Sequence, residues 1–562
     1  MGAQQSTEAE EPGESGVSDG IASPSSAEVT STAIRLYKFN PKKKGIDSWE
    51  LYAATVTPTF YDANEDSASG SPQWFLEAGE LEVEVSDKFN FEESSKRATF
   101  AGESGIWALR YPSQQSFSTF VNQYNSKLFE NTYKLSNDAT NREKIFGKDT
   151  VLNMGGKETK ESREQWLEDI EMKDAPSQEE RMFKDKTAVR KDTPIKGVRM
   201  GAGERSYLVR DNQIDVLKNM YGGVQETGTS FNITPKKGGS FTPSKMLLMQ
   251  RERRMNMLTP EQGSKMFNAD IETGKILNEW SFQKDGVDVD IKDISNDTRA
   301  AGLDDRDTFL GLGGNRLVRW DMRAREGAVQ DSPVLTYQEG KDYASKTNFN
   351  CMATSGDGYV VVGSQDGQIR LYNGKQFTRA NTAVPGLGAP ITSVDVTYDG
   401  KWILATTKSY LMVVKTIYKD KSGKETNGFK SRMGSRGAAP RLLRLKPEDL
   451  AHVGSAPLQK GKFTWVTESG REERWIVASC GNYTLLWNFR QVKLATPDVV
   501  SYGGLTTCTS YHLIPKQESV VDSVFMADKF AASPSARPGQ DESSMVIVTK
   551  NNVFSLADDD EE

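Results

Sequence analysis

From Ile34 onward the chain alternates short apolar runs with polar turns. IRLYKFN, WELYAATVTPTFYD, QWFLEAGELEVEV, KRATFA and GIWALRY are rich in aromatic and β-branched residues, a pattern that predicts antiparallel strands. The period then changes. In SQQSFSTFVNQYNSKLFENTYKL, Phe117, Phe120, Val121, Tyr124 and Leu128 recur at helical spacing and form one apolar stripe, with Ser113 placed to cap the N-terminus. Residues 31–136 thus read as several strands capped by a helix. Residues 137–195 are charged and poor in apolar positions, and read as a partly helical linker with Trp166, Leu167 and Ile170 as the seat of one helix.

The rest of the chain repeats one unit, an apolar strand, a tight polar turn and a second strand. Instances are YLVRDNQIDVLK, FLGLGGNRLVRWD, VVVGSQDGQIRLYN, LATTKSYLMVVK, VASCGNYTLLWNF and IVTKNNVFSLA, with LLMQ leading through a longer turn to SKMFNAD. One residue from each second strand (Val216, Phe267, Arg319, Leu371, Val413, Trp487, Phe554) gives spacings of 51, 52, 52, 42, 74 and 67. A lone hairpin of this kind is not stable in water, whereas sheets arranged radially cover one another and leave few open edges. Seven units over 196–557 predict a seven-bladed β-propeller. The turns agree, since Asp357-Gly358, Asp366-Gly367, Gly314-Asn315, Gly481-Asn482 and Asn551-Asn552 tolerate positive φ. Trp320-Asp321 is the single outer-strand Trp-Asp pair, so the propeller is WD-like rather than a regular WD-repeat array.

Charge changes the picture only at the ends. Residues 1–30 carry six acids and no base, and ADDDEE at 557–562 adds five acids, so the body between these tails is mildly positive although the whole chain is at −7. The two acidic tails, 1–30 and 558–562, are expected to be disordered. No apolar run approaches the length of a membrane span, and the first residues lack the basic and apolar regions of a secretory signal. Met1-Gly2-Ala3-Gln4-Gln5-Ser6 does fit the N-myristoylation pattern, which makes Gly2 the expected acceptor. One acyl chain beside Glu8, Glu10 and Glu11 supports only weak, reversible membrane contact.

Few residues are available for chemistry. There are two histidines, His452 and His512, and three cysteines, Cys351, Cys480 and Cys508. No CxxC, HxH or HExxH is present for zinc, no P-loop occurs, and DANEDSASG departs from a calcium loop at its glycine and its last acid. The cysteines lie in or beside apolar strands, which favours packing over nucleophilic work. Three cysteines also make no disulfide framework, which suits a reducing compartment. No catalytic residue, cofactor or metal is expected.

The strands, Trp107 in the last of them, and the helix that follows resemble the pleckstrin-homology (PH) superfold, whose members bind phosphoinositides, peptides or the Ran GTPase. The strings RSYLVRDNQIDVLKN, SFTPSKMLLMQRERRMNML, SKMFNADIETGKILNEW, KTNFNCMATSGDGYVVVGSQDGQIRLYN, GLGAPITSVDVTYDGKWILATTKSYLMVV and LLWNF, in that order, resemble the C-terminal propeller of the vacuolar import and degradation protein 27 family. The MGAQQS start and short first domain are most similar to its plant branch, the DEM (defective embryo and meristems) or Cypro-type proteins. The resemblance implies a PH-like domain before the propeller and carries no catalytic residues.

One surface feature points to a mechanism. In the widened interval between the fifth and sixth repeats, FKSRMGSRGAAPRLLRLK carries Lys430, Arg432, Arg436, Arg441, Arg444 and Lys446 with no acid. This reads as a solvated loop, as a basic arm for an acidic or phosphate-bearing partner, or as a dock for ADDDEE. Specific nucleic-acid binding is not expected, because no aromatics interleave the arginines. The function expected is that of a non-enzymatic adaptor in growth, cell division and development, cytoplasmic and nuclear, with a small GTPase such as Ran as the most concrete partner. The alternative is a membrane-associated adaptor in vesicle trafficking or vacuolar import and degradation.

Overall fold

The computed structural model describes residues 33–558 apart from 152–158, 169–182, 324–347, 531–543 and several shorter stretches. Gly2, the 1–30 tail, Ile170 and the acidic end beyond Asp558 lie outside the described residues.

The N-terminal domain uses the predicted alternation. Ile34–Phe39 pairs on one side with Trp49–Val56 and on the other with Gly105–Arg110, followed by Arg97–Gly102 and Phe89–Glu92. Trp49–Val56 breaks at Thr57 and Pro58, where proline has no N–H for the ladder, and resumes as Thr59–Asp62 in a second sheet with Trp74–Ala78 and Leu81–Glu84. Helix α1 (Gln114–Tyr133) packs Phe117, Phe120, Tyr124 and Leu128 into one core with Leu36, Leu76, Phe89, Phe100 and Trp107. Ser113 caps it, accepting from the Ser116 N–H, and Lys134 ends it with φ 55°. The buried Tyr124 hydroxyl donates to the Ser86 carbonyl at 2.7 Å. Val121 lies at the rim of the stripe. Phe129 faces the other way, toward Phe146 of helix α2 (Ala139–Phe146), with ring centres 5.8 Å apart.

The repeat unit becomes a blade. Successive four-stranded antiparallel sheets span 197–232, 245–281 and 349–384, with a sheet of three described strands over 291–321 between the second and third of these. Blades five, six and seven begin at Ser393, Leu458 and Val520. All seven residues used to index the repeat fall on the third strand of their blades. The cores lie between adjacent blades, as a ring of sheets requires.

Ring closure corrects the sequence reading. Phe183–Arg190, inside the stretch read as linker, is the fourth strand of blade seven and pairs antiparallel with Asn552–Asp558. Val189 is buried there against Val546, Val548 and Val553. Its charged pattern hid this strand, because an outermost strand has one face toward water.

The wide repeat intervals carry insertions. In blade six, 489–511 holds the Phe489–Leu494 helix and a hairpin, Val499–Ser501 and Leu505–Cys508. Val499 and Val500 pair with Glu92 and Phe91 of the N-terminal domain, while Leu505–Cys508 runs parallel to Arg441–Leu443 of blade five. One sheet of eleven strands therefore runs from the N-terminal domain into blade five. No helix among the described residues is long and apolar enough to cross a membrane.

Candidate functional site at the inter-domain seam and the propeller channel

The six basic residues singled out from the sequence divide. Lys430, Arg432 and Lys446 are exposed, and Arg436 is half-buried with its guanidinium carbon 4.9 Å from the Tyr418 ring centre. Arg441 and Arg444 are buried, which corrects the expectation of a loop or arm that carries all six. The Arg441 guanidinium carbon lies 4.2 Å from the centre of the Trp166 ring, and Nη1 donates to the Val492 carbonyl at 2.6 Å and to that of Lys493. Arg444 donates to the carbonyls of Phe89, at 2.9 Å, and Asp87 in the N-terminal domain. Such guanidiniums, buried against carbonyl oxygens, hold elements together and have little left for a partner.

The helix Lys160–Leu167 completes this seam. Its Trp166 is fully buried, donates Nε1–H to the Ala439 carbonyl at 3.0 Å, and meets the Trp402 ring with centres 4.8 Å apart. Ser162 accepts from the Ala439 N–H, and Gln165 donates to the Arg436 carbonyl. Leu167, named with Trp166 as a seat, is instead 39% exposed. Across the seam Ser94 donates to Asp498, and Ser409 donates to Asp87.

Sequence reading missed the channel. Inner strands of blades three, five and seven each place one carboxylate where it joins neighbouring blades. Asp293 accepts from Lys245 and from the Met352 N–H at 2.8 Å. Asp395 accepts from Arg299 at 2.6 Å and from the Phe463 N–H at 2.8 Å. Asp522 accepts from Lys460 at 3.1 Å and Lys462 at 2.9 Å. Each also accepts at 2.9 Å from the N–H of the next residue, a shared local geometry that short apolar motifs do not reveal. The channel has a volume of about 410 Å³.

One end of the channel is built on a strained turn. Gln250, Arg251 and Glu252 all have positive φ, 51°, 54° and 59°, which costs non-glycine residues of order 1 kcal/mol or more each. The turn delivers the Glu252 carboxylate to the N–H groups of Ala202 and Gly203, at 2.6 and 2.9 Å. A Cβ at Gly203 would stand 2.5 Å from that carboxylate, so any larger residue there would push the Glu252 side chain aside. Glu252 lines a small crevice with Arg199, Asn296, Arg299 and Trp465. Burial raises its pKa, and burial pushes Glu473, near Arg299, up to about 7.

The cysteines are packed. All three are free and buried, burial holding the Cys351 and Cys508 thiols above their ordinary range and pushing Cys480 up to about 11, while both histidines are exposed. Among the described residues no group of three His, Cys, Asp or Glu side chains could hold a metal ion.

Residues 198–502 match the family described as the VID27 C-terminal WD40-like domain, and residues 22–147 match a domain of unknown function (DUF7135). Vacuolar import and degradation protein 27 of Schizosaccharomyces pombe is 32% identical over 306 residues, 52% of this chain and 36% of that protein. Its Saccharomyces cerevisiae counterpart is 30% identical over 294 residues, 51% of this chain and again 36% of the relative. The match thus spans little more than a third of the relatives' length. Among solved structures, the β-propeller domain of Myceliophteria thermophila Cps50 (Swd1) aligns with a TM-score of 0.43 at 12% identity, covering 67% of this chain and 99% of that one. The ring has seven blades, the matched segment runs from the first blade into the insertion of the sixth, and the chain belongs to the VID27 C-terminal WD40-like domain family.

Proposed function

We propose that the protein is a non-enzymatic interaction scaffold whose N-terminal domain and propeller act as one rigid body. The carrying observation is the eleven-stranded sheet, reinforced by Trp166, Arg441 and Arg444. Two modules on a flexible linker would bind partners independently. Modules fused edge to edge hold two partners at a fixed separation. Lys430, Arg432 and Lys446 remain at the surface for an acidic partner. The test is affinity purification of full-length protein beside a variant with Val500→Pro, which removes an N–H from the seam. Partners that need both modules are lost from the variant, and unchanged recovery of every partner defeats the reading.

The name of the two curated relatives, vacuolar import and degradation, favours a trafficking or degradation adaptor, with Gly2 and a PH-like domain as its means of reversible membrane contact. The N-terminal domain supports the PH-like reading by its strand succession and closing helix. The growth-control reading, with a Ran-like GTPase as partner and both cytoplasm and nucleus as location, draws on that same likeness. Trp107, which prompted it, is a core residue, 1% exposed, and so selects no partner by itself. Flotation of the myristoylated protein with vesicles, beside pull-down by nucleotide-loaded Ran, separates the two readings.

A further inference from the structure

The channel holds more cations than its carboxylates can satisfy. Lys196, Arg199, Lys245, Arg299, Lys460 and Lys462 line it or its ends, against Asp395 and Asp522 on the wall and Asp293 behind Lys245. Those carboxylates are already committed, Asp293 and Asp395 to two backbone N–H groups each and Asp522 to one, as well as to their cations. Asp522 alone faces two lysines.

Arg199 is the sharpest case. Among the described residues it has no hydrogen-bond acceptor and no ion pair, and its Nε is buried. It lines both the channel and the adjoining crevice with Arg299, whose own Nε also lacks an acceptor, and the two positive charges act on one another. The nearest acid, Glu252, attracts Arg199 across the crevice but makes no hydrogen bond or ion pair with it. Glu252 is bound to two backbone N–H groups, and burial raises its pKa as it raises that of Glu473. Arg199 is half-buried with its Nε fully buried, and a guanidinium so placed beside a second one is stabilised where an anion joins the two. Guanidinium forks match phosphate oxygens two at a time, and the space is of the size that takes a small ligand.

We propose that the Arg199 and Arg299 end of the channel binds a compact, multiply charged phosphate compound, either a free polyphosphorylated small molecule or the headgroup of a phosphorylated lipid. The site lies inside the ring and does not depend on which proteins the scaffold gathers.

The experiment uses the full-length chain at low and physiological salt. Calorimetric titration with tripolyphosphate and with inositol hexakisphosphate tests the free source, and flotation with vesicles containing phosphatidylinositol 4,5-bisphosphate tests the lipid source. Arg199→Met is expected to fold about as stably as the parent without ligand, since it removes a charge that has no direct hydrogen-bonding partner. It should weaken binding about tenfold or more, as loss of a charge-assisted hydrogen bond requires. A control with Lys421→Ala and Lys424→Ala, both exposed on a distant hairpin, should bind as the parent does. Failure of all three probes to bind, or equal binding by Arg199→Met and the parent, overturns the proposal.

Discussion

Arg441 stacks on Trp166, with the guanidinium carbon 4.2 Å from the ring centre, and both side chains are buried. The contact joins a helix from a charged, linker-like stretch to the fourth strand of blade five, beside the inserted helix of blade six. It combines cation–π attraction with hydrogen bonds to the Val492 and Lys493 carbonyls, so the charge is matched where water is excluded.

Trp166→Ala should therefore cost about 3–5 kcal/mol, the range for deleting a large buried aromatic side chain. It also leaves the Arg441 guanidinium without its aromatic cover. Urea unfolding followed by circular dichroism measures the loss. A cost below about 1 kcal/mol would mean that the helix Lys160–Leu167 contributes little to the fold.

Removing the closure of the ring should open an edge. Val189→Asp places a carboxylate among Val546, Val548 and Val553, with an expected cost of about 3 kcal/mol or more. With Phe183–Arg190 displaced, the strand Asn552–Asp558 presents unpaired backbone groups. Size-exclusion chromatography should then show association that grows with concentration, absent in the parent.

These two sites also mark how far the sequence could be read. Blades were legible because each brings its own apolar hairpin, and the spacing of Val216, Phe267, Arg319, Leu371, Val413, Trp487 and Phe554 tracks the third strands. The helix α1 stripe was legible for the same reason, since periodicity follows from burying one face. Phe183–Arg190 was not, because its partner lies at the far end of the chain and its pattern reflects a half-wet edge. Arg441 and Arg444 were misplaced because a buried arginine looks like a surface one in sequence until its carbonyl acceptors are known. The channel charges were invisible, since Arg199, Asp395 and Lys462 come together only when the ring closes.

Separating the two modules should split unfolding. Val500 pairs with Phe91 in the seam and packs on the core of the N-terminal domain. Val500→Pro removes a ladder donor and disfavours the neighbouring extended pairing. Calorimetry should show one transition for the parent and two for the variant. Arg444→Met, which leaves the Phe89 and Asp87 carbonyls without that donor, should act in the same direction and more weakly.

The thiols should be silent in the folded state. Cys351, Cys480 and Cys508 are buried, and burial disfavours the thiolate that reacts. A chromogenic disulfide reagent at pH 8 should titrate essentially none of them within minutes, and all three after addition of guanidinium chloride. Rapid reaction of even one in native protein would place an accessible nucleophile where the packing shows none.

Glu473 gives the stability a defined pH dependence. Burial pushes its carboxyl up to about 7 in the folded protein, against an ordinary 4.5 when unfolded. Between these values the folded state retains a proton that the unfolded chain has released. The contribution is therefore fully present below about pH 4.5 and is lost as pH rises through 7, amounting at most to about 3 kcal/mol. Glu473→Gln keeps an acceptor for the Tyr398 N–H, which the carboxylate now binds at 2.6 Å, and removes the titration. Denaturation midpoints should show the glutamine variant gaining on the parent by about 1–3 kcal/mol between pH 5 and pH 8. A constant difference across that range would show that Glu473 is ionised in the fold, with Arg299 close enough to hold its charge.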